Sequence, residues 1–351
     1  MSSTPFRQDA LFQLNLLIWL SWPARAGVYP LFHDHGFALY RLSQEIAVPV
    51  AARLAAGSAA PPIPMGRAAS ADLLLRHEAR RQFIALECKV SSFGPVSSTA
   101  GQATAMLVCA GPHLAATLGI TPPAPWRVVP TYAVTYDQQE AMALTLDALA
   151  GDLTRAGVAT CPDPATAFGI EVADDGVYLH FAAPARLPFP TPTSVKVLER
   201  EPGEDPRPLY VIPLDPGVNL SDSYGRRMLE SLVRRAFLGL LGRELGRGAL
   251  TVDWDALMTA AIAVWPLWRD RGKANLRQQC KTYVRRRMRP LERLGVTFAE
   301  TPSGFVIGDV DQATAEKVLR DLATPAPRQE RVRLEEGGQM TIDDLPEEDD
   351  A

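Results

Sequence analysis

QFIALECKVSSFG, Gln82 to Gly94, is the stretch whose reading decides the fold. Phe83, Ala85, Glu87 and Lys89 alternate with Ile84, Leu86, Cys88 and Val90. Alternate residues of a strand share a face, so this run predicts a buried strand whose end points a carboxylate and an ammonium the same way. Upstream, ADLLLRH is a second apolar run, separated from the first by a charged turn at Glu78–Arg81. The pair reads as an antiparallel hairpin. Asp72 opens the first strand, fifteen residues before Glu87. Tight pairing would bring both carboxylates to one end of the sheet. Two carboxylates and a cation suit metal-dependent phosphodiester hydrolysis. The carboxylates hold Mg²⁺, the metal offsets charge building on the phosphate, and another group positions the attacking water.

The flanks read as alternating helices and strands. Residues 37–56, FALYRLSQEIAVPVAARLAA, predict mostly helix, kinked at Pro49. SSTAGQATAMLVCAG has Ser or Thr at its start and Gly at its end, the punctuation of a helix. WRVVPTYAVTYD is strand-like, and Pro130 argues for an edge or a strand start. QQEAMALTLDALAGDLTRAG follows as a helix, and FGIEVADDGVYLHF as a hairpin turning at Asp175-Gly176. A proline-rich connection spans 183–220, with SVKVLER and PLYVIPL as the arms of a hairpin. Residues 221–323 are mainly helical. The expected organisation is therefore an α/β domain over 1–182, the connection, a helical domain over 221–323 and an acidic tail over 324–351.

Asp72 in SADLLL, with Glu87, Cys88 and Lys89 in LECK, resembles the PD-(D/E)xK restriction-endonuclease-like superfamily. So does the order helix, strand, strand, helix, strand, helix across residues 37–157, about a third of the chain. The resemblance implies a mixed central sheet flanked by helices, with Mg²⁺ or Mn²⁺ held by Asp72, Glu87 and the Cys88 carbonyl. Lys89 would orient the water and stabilise the phosphate. Gln102 matches a glutamine that several branches carry near the active site, and Glu45 an acidic residue that some branches add to the metal shell. The sequence departs from the family at Ala71, where a proline is usual, and at Met106, where a tyrosine often follows the glutamine. The plainer alternatives are a strand-end ion pair for Glu87 and Lys89, worth ~0–1 kcal/mol, a loop-capping Gln102 and a solvated Glu45.

The rest of the composition narrows the function by exclusion. Net charge is −4 over 351 residues, but nine acids and only three arginines lie from Pro325 onward, so the remainder is slightly basic. The four cysteines, Cys88, Cys109, Cys161 and Cys280, are scattered without a CxxC spacing. They argue against a disulfide framework or zinc ribbon and fit a reducing cytoplasm. ALFQLNLLIWLSW is shorter than the ~20 residues of a membrane span, is interrupted by Gln13 and Asn15, and reads as a buried helix. No glycine-rich phosphate loop is present. FHDHG places His33 and His35 around Asp34, a pair that could bind zinc or manganese only with further ligands.

From Arg269 to Arg293 there are ten basic residues and two acids. Lys273, Arg277, Lys281, Arg285, Arg289 and Arg293 recur every fourth position, a slanted stripe on a helix, beside an apolar side of Leu276, Cys280, Tyr283, Val284 and Met288. A helix capped by Asp253 precedes it, and a hairpin of VTFAE and GFVIG, turning at Thr301–Ser303, follows. This order resembles a winged helix-turn-helix, which implies DNA contact by Lys273, Arg277, Lys281, Arg285 and Arg289 and salt-dependent affinity. The expected protein is a cytoplasmic, metal-dependent DNA endonuclease of restriction or anti-phage defence, partnered by a second copy or a defence-complex protein. The alternatives are a non-catalytic DNA-binding or assembly protein with a decayed nuclease fold, and a metal hydrolase built on His33 and His35. The acidic tail is expected to compete with DNA for the basic helix.

Overall fold

Gln82–Cys88 forms a strand buried at every position, because it lies inside a sheet with apolar residues on both faces. The computed structural model describes residues 8–23, 27–95, 97–182, 186–204, 211–213, 223–268 and 270–323. The chain divides into two units, residues 6–209, and residues 210–351 together with 1–5. The first unit runs α1 (Ala10–Leu20), α2 (Leu31–Asp34), β1 (Ala38–Ala47), α3 (Val50–Ser58), β2 (Ala68–His77) and β3 (Gln82–Cys88). It continues with α4 (Ser98–Leu107), α5 (Gly111–Thr117), β4 (Arg127–Thr135), α6 (Gln139–Arg155), β5 (Thr166–Ala173), β6 (Gly176–Phe181) and β7 (Ser194–Glu199).

The seven strands lie in sequence order, β1 to β7. The outer pairs are antiparallel and β3–β4–β5 are parallel, so the sheet is mixed, as expected. Parallel neighbours need crossovers, which α4, α5 and α6 provide. Phe83 and Ala85 join Ala100, Ala103 and Met106 of α4 and Met142, Leu146 and Leu149 of α6 in one core. Ile84 and Leu86 are also fully buried, and α1 packs against β2 and β3. The reading of α1 as a buried helix holds: its polar Asn15 donates to the Leu11 carbonyl within the helix, as Ser21 just beyond it does to Leu17. Among the described residues no helix is long and apolar enough to cross a membrane.

The β2–β3 hairpin matches the sequence reading: His77 pairs with Gln82, leaving Glu78–Arg81 as the turn. Residues 37–56 do not. They form strand β1 and then helix α3, broken near Pro49, which caps α3. Leu42, Gln44, Ile46 and Val48 are buried in alternation, a period of two that pairing with β2 selects over the helix-forming composition. Pro130 sits mid-way along a central strand, not on an edge. Pairing of β4 with β5 begins only at Thr131, so Pro130 lies where β4 is flanked by β3 alone. The β5–β6 turn is one residue earlier than expected, since Ala173 pairs with Gly176 and leaves Asp174-Asp175 between them. SVKVLER becomes β7 and pairs with β6, so part of the expected connection belongs to the sheet. Most of PLYVIPL lies outside the described residues, as does the acidic tail.

The second unit runs α7 (Ser223–Glu244), β8 (Leu250–Asp253), α8 (Trp254–Ala261), α9 (Asp270–Met288), β9 (Phe298–Glu300), β10 (Gly304–Ile307) and α10 (Gln312–Ala323). Its three strands form an antiparallel sheet in the order β8-β10-β9. Asp253 caps α8 as expected, accepting from the Asp255 and Ala256 amides. The Thr301–Ser303 hairpin also forms, whereas β8 was not foreseen. Phe305 anchors the core, its ring 4.7 Å from that of Trp254 and 5.7 Å from that of Phe237. Leu276, Cys280, Val284 and Met288 of α9 are fully buried, which confirms the apolar side of that helix.

Candidate active site

The last register pair of the β2–β3 hairpin is Leu73 with Leu86. One residue beyond it, Asp72 accepts a hydrogen bond from the Cys88 amide through Oδ2 at 2.8 Å. Glu87 is 4% exposed. Its Oε1 accepts from Lys89 Nζ at 2.7 Å and from Gln102 Nε2 at 3.0 Å. Its Oε2 is enclosed and has no hydrogen-bond partner. Gln102 reaches this point from α4, whose start is capped by Ser97 accepting from the Ala100 amide, and it also donates to the Ser70 carbonyl. The structure therefore gathers Asp72, Glu87, Cys88, Lys89 and Gln102. Glu45 stands exposed on strand β1, opposite Ser70, rather than on the helix expected for it.

The charges are arranged unequally. Burial, and then the nearby Asp72 carboxylate, raise the Glu87 pKa to about 8, outweighing the pull of Lys89 and Gln102 in the other direction. Burial works against the charged form of Lys89, but Glu87 and Asp72 more than offset it and hold its pKa above the ordinary lysine value. Lys89 thus keeps its proton while Glu87 resists losing one. Tyr132 lies beside Glu87 in register, buried, and its pKa is pushed well up by burial and by Glu87 and Asp72.

Oxygen donors on an enclosed carboxylate with one unpartnered atom fit a hard divalent cation. Among the described residues no group of three or more His, Cys, Asp or Glu could hold a metal. The site brings two carboxylates near each other, a sparse set of the kind that suits Mg²⁺, which keeps waters and substrate phosphate in its other positions. Elsewhere, His35 stacks on Phe189 at 4.2 Å, and His33 lies 3.7 Å from Asp34.

Two contributors escaped the sequence reading. Gln13 of α1, fully buried, donates through Nε2 to the Lys89 carbonyl at 3.0 Å. Its signal was present as a polar break in an apolar run. Tyr132 carried no signal, because only the parallel register sets it beside Glu87.

On α9 the basic stripe turns sideways rather than outward. Arg277 Nη2 grips Asp255 at 2.8 and 3.1 Å, and Arg285 binds Glu300. Lys273 and Lys281 lie over the Trp265 and Trp254 rings, 5.4 and 5.3 Å from their centroids. The reason is the helical period. Positions 277, 281 and 285 each follow a fully buried residue by about 100°, so they border the core and reach across it to α8 and β9. Arg289, just beyond α9, is exposed. Comparison with protein-family models, curated proteins and solved structures finds no match to this chain.

Proposed function

We propose that the first unit is a metal-dependent phosphodiesterase. More particularly, it is a DNA endonuclease of the PD-(D/E)xK kind, serving restriction or anti-phage defence. The observation that carries this reading is Glu87, a buried carboxylate with one oxygen held by Lys89 and Gln102 and the other unpartnered, beside Asp72. Asp72 and Glu87 would hold Mg²⁺ or Mn²⁺, with the Cys88 carbonyl as a further ligand. When bound, the metal supplies a Lewis acid for the phosphate and a lowered water pKa. Gln102 and Lys89 fix Glu87 by one oxygen and leave the other for the ligand role. Lys89, kept protonated, donates from Nζ to phosphate oxygen as negative charge grows there during attack by water and loss of the leaving oxygen. The amide of Cys88 orients Asp72, and Gln13 ties the Lys89 backbone to α1.

The second unit supplies DNA affinity. Its order, helix, strand, helix, helix, strand, strand, with sheet order β8-β10-β9, supports a winged-helix reading in which α9 approaches the duplex. With Arg277 and Arg285 committed to carboxylates, the exposed Arg289 is a member of the stripe left open to phosphate.

Purified full-length protein is expected to cut DNA with Mg²⁺ or Mn²⁺ and not with EDTA. Asp72→Ala, Glu87→Ala and Lys89→Ala should each abolish cutting without unfolding the chain. Wild-type protein that binds DNA but leaves supercoiled, linear and single-stranded forms intact with either metal would instead identify a non-catalytic DNA-binding protein.

A further inference from the structure

The 3₁₀ turn Tyr136–Gln138 follows β4 directly and carries an exposed aromatic ring that the fold holds with unusual care. Tyr136 is 49% exposed. One face of its ring lies on the His180 imidazole, with centroids 3.9 Å apart and planes 26° from parallel. His180 is itself pinned, its Nε2 2.7 Å from Glu171 Oε2. Gly169 makes the approach possible: a Cβ there would come within 2.7 Å of the Tyr136 Cα. Among the described residues no second ring stacks on Tyr136, and the residue stays half-exposed.

The ring also stands close to the candidate active site. Thr135 donates through Oγ1 to the Val90 carbonyl at 3.0 Å, and the Ser92 hydroxyl donates to Gln138 Oε1 at 2.8 Å. Residues on either side of Tyr136 are thus bonded to the segment that follows Lys89. Register pairs run from Glu87 to Tyr132 to Ala167, and Gly169 lies two residues on, so it shares the sheet face of Glu87. His180 pairs with Gly169, three strands from β3, or about 14 Å at ordinary strand spacing. Val90, in the same segment, is a second exposed apolar side chain at 40%. Rigid aromatics with one open face bind bases without regard to sequence, because every base has a π-face. A base paired and stacked within a duplex offers no such face, so the platform calls for an unpaired one.

We infer that Tyr136, backed by His180, is a stacking platform for an unpaired base of the strand being cut, so that the substrate class is single-stranded or end-frayed DNA. This rests on the nuclease reading and adds strand preference to it.

The test uses full-length protein carrying Glu87→Gln, which holds DNA uncut. Single-stranded oligonucleotides carrying 2-aminopurine at successive positions, and blunt duplexes of the same sequence, serve as probes. Quenching is expected at one position of the single strand. Tyr136→Ala and Tyr136→Leu should both remove the quench and weaken single-strand binding roughly tenfold, leaving blunt-duplex binding within about twofold, whereas Tyr136→Phe and Tyr136→Trp should retain both. The leucine keeps the apolar packing over Gly169 and guards against a folding artefact. In the otherwise wild-type chain, cutting that is lost in Asp72→Ala but unchanged on single-stranded DNA in both Tyr136→Ala and Tyr136→Leu would overturn the platform and leave the nuclease standing. Wild-type protein that neither binds nor cuts any DNA would overturn both.

Discussion

Glu87 and Glu300 each accept a hydrogen bond from a cation, yet their acidities move in opposite directions. Arg285 holds Glu300 below the usual carboxylate range, against a smaller effect of burial. Glu87 has Lys89 and Gln102 and is still driven up to about 8, because burial and Asp72 outweigh them. The two units thus use the same pairing for different ends. Around α9, cation and carboxylate satisfy one another at a partly solvated surface. At the end of β3 the pairing leaves an enclosed oxygen unsatisfied and two carboxylates near each other. An arrangement that costs stability by itself is what a cation ligand would relieve.

The sharpest way to break this contrast is to change the two carboxylates alike. Glu87→Gln is expected to lower metal-dependent DNA cleavage by at least about 10²–10³-fold, the scale of losing one electrostatic stabiliser. Glu300→Gln should leave the cleavage rate per bound substrate within about twofold. Gel-based cleavage under single-turnover conditions reads both.

The second effect is thermodynamic and needs metal-free protein. Because the folded-state pKa of Glu87 is raised, its contribution is fully present below the unfolded value near 4.5 and is lost as pH rises to about 8. The loss is up to about 1.4 kcal/mol per pH unit across that window. Denaturant titrations in EDTA should show wild-type stability falling from pH 5 to 8 and the fall removed in Glu87→Gln. Added Mg²⁺ should recover stability in the wild type and not in the variant. A wild-type profile no steeper than that of Glu87→Gln would mean that Glu87 is not strained in the free protein.

Asp255 gives the opposite sign. Burial opposes its ionisation, but the hydrogen bonds from Arg277 and Trp265 and the charges of Arg277 and Lys273 prevail and lower its pKa. Its contribution is present above the unfolded pKa near 3.8 and is lost as pH falls through the lower folded value. Asp255→Asn should cost under about 1 kcal/mol near neutrality, and the cost should shrink below pH 4, as read by thermal melting.

The smallest effect concerns DNA affinity. Arg289→Gln should lower the slope of log K against log salt by about 0.9, one phosphate contact. Arg277→Gln should change it by less than half as much, since Arg277 is already gripping Asp255. Equal slopes for the two variants would put the whole stripe on DNA and return α9 to the outward-facing role that its spacing alone suggests.

The hairpin of Asp72 and Glu87 was legible because everything that makes it is local. Two apolar runs, a charged turn and a period of two suffice, and the register follows from two strands adjacent in the chain. The apolar side of α9 and the hairpin after it were legible for the same reason. β1 was not. Its arginine, leucine, glutamine and glutamate are good helix formers, and only pairing with β2 makes the strand the better state. Gln102 was readable through the family resemblance, whereas its bond to Glu87 depends on how α4 lies on the sheet.

The residues by themselves thus determined which positions carry acid, base and apolar surface, and which local segments could pair. Tertiary structure decided what each charge meets. It set Tyr132 beside Glu87 through a parallel register and carried Gln13 of α1 to the Lys89 carbonyl. It also turned Arg277 and Arg285 onto Asp255 and Glu300. The physical reason is that periodicity is a property of a few consecutive residues. Desolvation and the field at a carboxylate come from atoms brought together from distant parts of the chain, and their balance is what drives Glu87 up and Glu300 down.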